Sequence, residues 1–153
     1  MKQANVFLGL GSNLGDRKLN LLKAIKLLGV SEDITILQQS SIIETEPVGV
    51  VEQGKFLNMV IEVETSLTPL MLLELCLETE RRLGRVRNAK WTPRTLDIDI
   101  LFYGDQIIDS KELTVPHPEA HRRCFVLLPL VEIAPGMHHP SLNISAKEML
   151  HAL

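Results

Sequence analysis

WTPRTLDIDILFYG, residues 91–104, carries the reading on which the fold turns. From Leu96 to Tyr103 the side chains alternate with a period of two, which is the pattern of a strand and not of a helix. Leu96, Ile98, Ile100 and Phe102 form an apolar row for a core, while Asp97 and Asp99 point to the other side, with Cα atoms ~7 Å apart. Gly104-Asp105 turns the chain at its end. Upstream lies a punctuated helix, with Thr68 as N-cap, Pro69 in the first helical position and Gly84 just past the end. Phe56 to Thr65 alternates Met59, Ile61 and Val63 against Val60, Glu62 and Glu64, as a half-exposed strand should. Before it come the loop TEPVGVVEQGK (45–55) and an extended run from Ile34 to Ile43. Residues 16–28 read as an amphipathic helix with Leu19, Leu22, Ile25 and Leu28 on one face and Gly29 ending it, and NVFLGL (5–10) as a buried strand. Downstream of Gly104 the expectation is a short strand, a proline-flanked loop around His117, a helix from Pro118 to about Ile133 and a short helix over 145–153.

The order β-α-β-β-α-β over the first two thirds is the split βαβ, or ferredoxin-like, arrangement. This makes the chain an α+β protein with an antiparallel sheet flanked by helices. At 153 residues, with no repeat, low-complexity tract or linker, it fits a single domain over 1–153. The first apolar run, Val6 to Leu10, is too short for a signal-peptide core or a membrane span, so a cytoplasmic protein without membrane contact is expected. Cys76 and Cys124 lack CxxC spacing and read as buried thiols. No long apolar stripe demands a partner, which points to a monomer.

Charge is unevenly spread. RRLGRVRNAKWTPR, 81–94, carries +6, and because the whole chain is −3 the remainder carries −9. A cationic segment on an acidic protein suits a focused anion site better than general polyanion binding. That segment ends three residues before Asp97. Paired carboxylates alone are also compatible with a solvated polar face, but side by side with a cationic cluster they are what Mg²⁺ and a polyphosphate require.

The glycine-rich GLGSNLGDR, 9–17, is not that phosphate site. Its glycines are spaced GxGxxxG, and Gly15 is followed by Asp16 where a P-loop needs Lys, so a carboxylate already occupies the positive end of the helix. It reads as a tight strand-to-helix turn beside the active site. Trp91, the only tryptophan, is either a surface-loop anchor or an aromatic serving the cationic loop, and Glu80 is either a solvated helix residue or an acid near a nucleotide. His117 and His121 are spaced i,i+4, but Pro116 and Pro118 prevent a helix through His117, which excludes a helical zinc pair.

GSNLGDR near the start, FLN at 56–58, GRVR at 84–87, RTLDIDILFYG at 94–104, LTVPHP at 113–118 and FVLLPLVEIAP at 125–135 together resemble the 6-hydroxymethyl-7,8-dihydropterin pyrophosphokinase family of folate biosynthesis. The resemblance is collinear from Gly11 to Pro135. It implies a ferredoxin-like enzyme that moves the β,γ-pyrophosphoryl group of ATP to the primary hydroxyl of the pterin and releases AMP, with two Mg²⁺ ions. By the same resemblance Asp97 and Asp99 are the metal ligands, and Arg85 and Arg94 act with them in catalysis. Glu80, Arg87, Trp91, Ile100, Thr114, His117 and Arg123 fall on ATP-site positions. Phe56 and Phe125 enclose the pterin ring, with Asn58, Thr45 and the backbone around Val48 reading its polar edge. Gly11, Ser12 and Asn13 resemble a loop bordering the pterin pocket.

Elementary chemistry agrees. A flat heterocycle fits between two π-faces and an amide matches its donor–acceptor edge. In-line transfer needs positioning and charge neutralisation, and no Ser-His-Asp or Cys-His set is offered, so no covalent intermediate is expected. Glycines at 49, 54 and 84 would let the loops at 46–55 and 85–94 close over ATP. Two rival readings remain at this point. An RNA-binding module of the same fold would need aromatics displayed by its central strands, where the first strand offers only Phe7 and Asn58 to Thr65 offers none, so no nucleic-acid partner is expected. A nucleotidyltransferase would use the same acid pair but release pyrophosphate.

Overall fold

Strand β1 (Gln3–Ser12) is at the centre of the sheet. It leads into α1 (Arg17–Val30), and β2 (Ile34–Gln39), β3 (Ile43–Thr45) and β4 (Phe56–Thr65) follow. The remainder is α2 (Pro69–Arg82), β5 (Asp97–Tyr103), a ribbon of β6 (Ile108–Asp109) and β7 (Thr114–Val115), then α3 (Cys124–Ile133) and α4 (Ala146–His151). The computed structural model describes residues 2–46, 55–84 and 95–153. The main sheet is antiparallel in the order β2-β4-β1-β5, with β3 also pairing with β4.

Each face of this sheet is covered by a helix pair. On one side Leu8, Leu10, Met59, Ile61, Val63, Ile98 and Ile100 pack with α1 and α2 through Leu21, Ala24, Leu28, Leu72 and Cys76. On the other, Phe7, Val60, Leu101 and Phe102 pack with α3 and α4 through Val126, Leu127, Leu130 and Met149. Burying each such Leu or Ile contributes roughly 1.5–3 kcal/mol. The second helical layer corrects the expectation for β4. Met59 to Val63 are all buried, Val60 and Glu62 included, because α3 covers the face that alternation alone assigned to solvent.

Caps and breakers act where their chemistry predicts. The side chain of Asp16 accepts from Leu19 N at 3.1 Å and that of Thr68 from Met71 N at 3.3 Å, satisfying helix N-terminal donors. Gly84 follows α2 with φ +87°, a left-handed conformation that a Cβ disfavours. Ser145 and Glu148 form a reciprocal capping box that opens α4.

Five further expectations are corrected. In α1 the buried set is Leu21, Ala24, Ile25 and Leu28, while Leu19 and Leu22 remain 43% and 46% exposed. Small Ala24 is on the stripe that faces the sheet, so the helix sits rotated from the face its leucines suggest. In β5 the register shifts between Phe7 and Leu8, leaving Leu101 as an extra residue; beyond this bulge Phe102 joins Leu101 on the α3 side and Tyr103 returns to the α2 side. The run 34–43 is two strands: Ser40 exchanges bonds with Val60, and Ser41 donates from N and Oγ to the Glu132 carboxylate of α3, so the chain jogs there. The helix over 118–133 is also divided. Ala120–Arg122 form a single 3₁₀ turn, Arg123 is extended at φ −106° and ψ 113°, and α3 begins at Cys124, because the chain must leave the sheet edge before lying on its face. Cys124 is consequently exposed, against expectation, while Cys76 is buried. Among the described residues no helix is long and apolar enough to cross a membrane.

Candidate active site

Two rows of residues cross the sheet on its α3 side. Gly11 of β1 lies between Asn58 of β4 and Asp97 of β5, and Gly9 lies between Val60 and Asp99. Residues directly opposite in antiparallel strands share a face. Asn58, Gly11, Asp97 and Asp99 therefore open on the same side, and the floor between the amide and the carboxylates is bare backbone. Gly11 has a second constraint, since a Cβ there would stand 2.9 Å from Asn58 Oδ1 and 3.5 Å from Phe56 Cδ1. Sequence reasoning reads Gly9 as part of the glycine-rich turn and of the first strand but gives it no place in the site, whereas within β1 glycines at alternate positions leave a smooth stripe on one face.

At one end of this floor, Asn58 is buried and its Nδ2 donates to Thr45 Oγ1 at 2.6 Å, which fixes the amide with its oxygen toward Gly11. Phe56, two residues earlier on β4, is half-buried and stands opposite Thr45 in the β3·β4 pairing. Phe125, also half-buried, comes from the first turn of α3 and packs against the core of the same sheet face. The Arg123 guanidinium lies over its ring, 5.5 Å from the centroid, a cation–π pair.

At the other end, Asp97 and Asp99 are half-buried on the edge strand. Two carboxylates two residues apart repel unless a cation or a proton is shared between them. Hard oxygen donors suit Mg²⁺, which takes one or two protein carboxylates where substrate phosphates and waters complete its shell. The donor set fits that mode. Among the described residues no group of three or more His, Cys, Asp and Glu side chains is placed to hold a metal by itself.

Glu80 is not a solvated helix residue. It is 1% exposed, reaches the sheet edge from the last turn of α2, and its Oε2 accepts the Ile98 amide at 2.7 Å. One turn earlier in α2, burial, and then the Glu80 and Asp99 charges, push the Cys76 thiol well above its ordinary pKa. It stays protonated and offers no nucleophile.

His117 sits where the chain crosses the edge of β5. Its N–H bonds to Leu101 O at 2.9 Å, and its Nδ1 accepts the Glu119 N–H at 3.1 Å, which leaves the ring proton on Nε2. Burial, and then the neighbouring Arg123 charge, lower its pKa against the opposing pull of Glu119 and Asp97, so the ring is neutral. Ile100 buries its side chain, and its backbone follows Ile98 by two along the outer edge of β5. Thr114 is exposed on β7, which packs beside β5. The structure thus brings Thr45, Phe56, Asn58 and Phe125 to the α3 side of the sheet with Asp97 and Asp99, and Glu80, Ile100 and His117 to the β5 edge. Val48, Arg85, Arg87, Trp91 and Arg94 lie outside the described residues.

Known proteins share both sequence and fold with this chain. A pyrophosphokinase of this name from Bacillus subtilis, 2-amino-4-hydroxy-6-hydroxymethyldihydropteridine pyrophosphokinase, is 48% identical over 127 residues, covering 83% of this chain and 76% of that protein. Its namesake from Aquifex aeolicus is 45% identical over 145 residues, 95% of this chain and 89% of the relative. A crystal structure of Plasmodium falciparum wild-type HPPK-DHPS with pteroate superposes with a TM-score of 0.78 over 99% of this chain at 18% identity. The chain spans 42% of that longer protein, and the likeness supports the fold. The sequence model of 7,8-dihydro-6-hydroxymethylpterin-pyrophosphokinase (HPPK) matches residues 7–135, a span that runs from the first core strand through the acid pair to the end of α3, and the chain belongs to this family.

Proposed function

We propose that Asp97 and Asp99 hold two Mg²⁺ ions against the phosphates of ATP, and that Phe56, Phe125, Asn58 and Thr45 hold the pterin at the other end of the glycine floor. As a member of its family the chain transfers pyrophosphate from ATP to the hydroxymethyl group of 6-hydroxymethyl-7,8-dihydropterin, giving AMP and the pterin diphosphate in folate biosynthesis. The observation that carries the assignment of residues is the row Asn58–Gly11–Asp97, which spans the distance between a ring-reading amide and a metal-binding carboxylate with no side chain between.

The hydroxymethyl oxygen bonds to the β-phosphorus and gives up its proton to water as the bond from that phosphorus to the α-phosphate oxygen breaks, and AMP leaves. Mg²⁺, when bound, neutralises phosphate charge as it develops. The chain supplies position. The Asn58 amide, fixed by Thr45, presents a carbonyl and an N–H to the polar edge of the pterin, and the flanking rings hold its plane. The outward backbone of Ile100 offers a donor and an acceptor to a purine edge at the border of β5, with Thr114 beside it. His117, neutral with its proton on Nε2, donates to phosphate, and Arg123 adds a fixed positive charge. By the family resemblance Arg85, Arg87 and Arg94 are assigned to neutralising phosphate charge and Trp91 to the nucleotide site.

The same reading takes residues 1–153 as one catalytic domain, monomeric and cytoplasmic, with small-molecule substrates and without nucleic-acid or membrane partners. The test is product analysis with ATP, Mg²⁺ and hydroxymethyl-dihydropterin. AMP appearing only when pterin and Mg²⁺ are both present is the expected result; release of pyrophosphate instead would make the chain a nucleotidyltransferase.

A further inference from the structure

We infer that Glu80 is a positioning residue for the acid pair, acting through the backbone amide of Ile98 instead of through contact with the nucleotide; this rests on the reading of Asp97 and Asp99 as the metal pair. Among the described residues strand β5 is paired on one side only, with β1. In that ladder Gly11 faces Asp97 and Gly9 faces Asp99. The Ile98 N–H goes to Glu80, so it points away from β1 and Ile98 is the outward residue of this alternating ladder. The peptide whose conformation sets the spacing and splay of the two carboxylates would therefore end, on its outer side, in a buried amide without a strand to receive it.

Glu80 fills that role from a different element. Its carboxylate comes from the last turn of α2 on the far face of the sheet, is 1% exposed, and accepts the amide at 2.7 Å, the short distance of a charge-assisted bond. The Ile98 side chain is itself held in the core under α2 together with Leu72 and Cys76. The midpoint between Asp97 and Asp99 is thus fixed by the core on one face and by Glu80 at the edge, which holds the two carboxylates in a constant relation. A hydrogen-bond acceptor at the end of a four-atom side chain is what the position requires. Gln retains that acceptor and Leu does not.

The experiment uses the full-length protein with Glu80→Gln and Glu80→Leu, read by amide hydrogen exchange at Ile98, by Mn²⁺ affinity in the presence of a non-hydrolysable ATP analogue, and by the KM for pterin. Glu80→Leu is expected to accelerate exchange at Ile98 and to weaken Mn²⁺ binding about 10- to 100-fold, the usual cost of removing an outer support of a metal site, with the pterin KM within about twofold of wild type. Glu80→Gln is expected to keep Ile98 protected and Mn²⁺ affinity within about threefold, since the hydrogen bond survives the loss of charge. Loss of Mn²⁺ affinity in Glu80→Gln equal to that in Glu80→Leu would overturn the inference in favour of a direct ligand or a purely electrostatic role. So would intact Mn²⁺ affinity in a Glu80→Leu protein whose Ile98 amide has become exposed. The Gln variant decides by itself if Glu80→Leu does not fold. Neither binding arm needs turnover, so failure of the pterin reading would appear separately, as absence of AMP with both arms intact.

Discussion

The two faces of one sheet are built from the same strands and do different work. On the α1–α2 face the rows are apolar from end to end: Leu10, Met59 and Ile98, then Leu8, Ile61 and Ile100. On the α3–α4 face the rows begin at Phe7 and Phe102, with buried Glu62 beside Phe7, then turn to Val60, Gly9 and Asp99, and finally to Asn58, Gly11 and Asp97. One face is entirely core. The other is core at one end and a site at the other, and the period of two lets Ile98 and Ile100 anchor the strand on which Asp97 and Asp99 are displayed. Substitutions on the first face should therefore change stability, and those on the second should change chemistry.

The largest contrast is expected at β5. Asp97→Ala or Asp99→Ala should lower kcat by about 10³-fold or more, with circular dichroism and melting temperature close to wild type. A variant of either residue with near-normal rates would remove the metal assignment. Next comes Leu72→Ala on the opposite face, where a fully buried side chain leaves a cavity. It should cost about 2–5 kcal/mol in denaturant unfolding, while turnover per folded molecule is retained. If Leu72→Ala instead abolished turnover at full stability, the division of labour between the faces would be wrong.

Gly11→Ala sharpens the comparison within the site. Its Cβ would press on Asn58 Oδ1 at 2.9 Å and displace the amide from Thr45. The KM for pterin should rise about tenfold, corresponding to loss of one or two oriented hydrogen bonds, with the KM for ATP unchanged; a rise confined to ATP would place the pterin elsewhere.

The smallest effect is a pH dependence at the core end of the α3–α4 face. His139 is buried there, against Phe102 and His121, and its Nδ1 accepts from Ser141 and Leu142 N–H. Burial first, and the neighbouring His121 second, lower its pKa below 6.5, so the native state holds it neutral while the unfolded chain protonates near that value. Its contribution to stability is present above pH 6.5 and is lost as the pH falls toward the lower native value. Melting temperature should decline between pH 7 and pH 5.5, roughly the interval in which a histidine titrates, and His139→Gln should flatten that decline. An unchanged slope would assign it to other groups.

The sequence discloses the second face less fully than the first, for physical reasons. The alternation around Asp97 and Asp99, the helix caps at Asp16 and Thr68, and the break at Gly84 are local patterns, and all are legible. The burial of Val60 and Glu62 is not, because it depends on α3, more than sixty residues away in the chain. The shift of Phe102 to the site face needs a bulge at Leu101 that no residue type there announces. Glu80 could be placed in a helix but not assigned a partner, since its hydrogen bond to Ile98 is made by the packing of α2 against β5. The expectation that Phe56 and Phe125 enclose the pterin comes from the family resemblance, since no spacing could have suggested it.

The most direct measurement of the central claim is anomalous scattering from crystals grown with Mn²⁺, a non-hydrolysable ATP analogue and hydroxymethyl-dihydropterin. Metal peaks are expected about 2.1–2.2 Å from carboxylate oxygens of both Asp97 and Asp99, on the face that carries Gly9 and Gly11, with the pterin against Asn58. Peaks elsewhere on the protein, or an acid pair turned away from an ordered triphosphate, would contradict it.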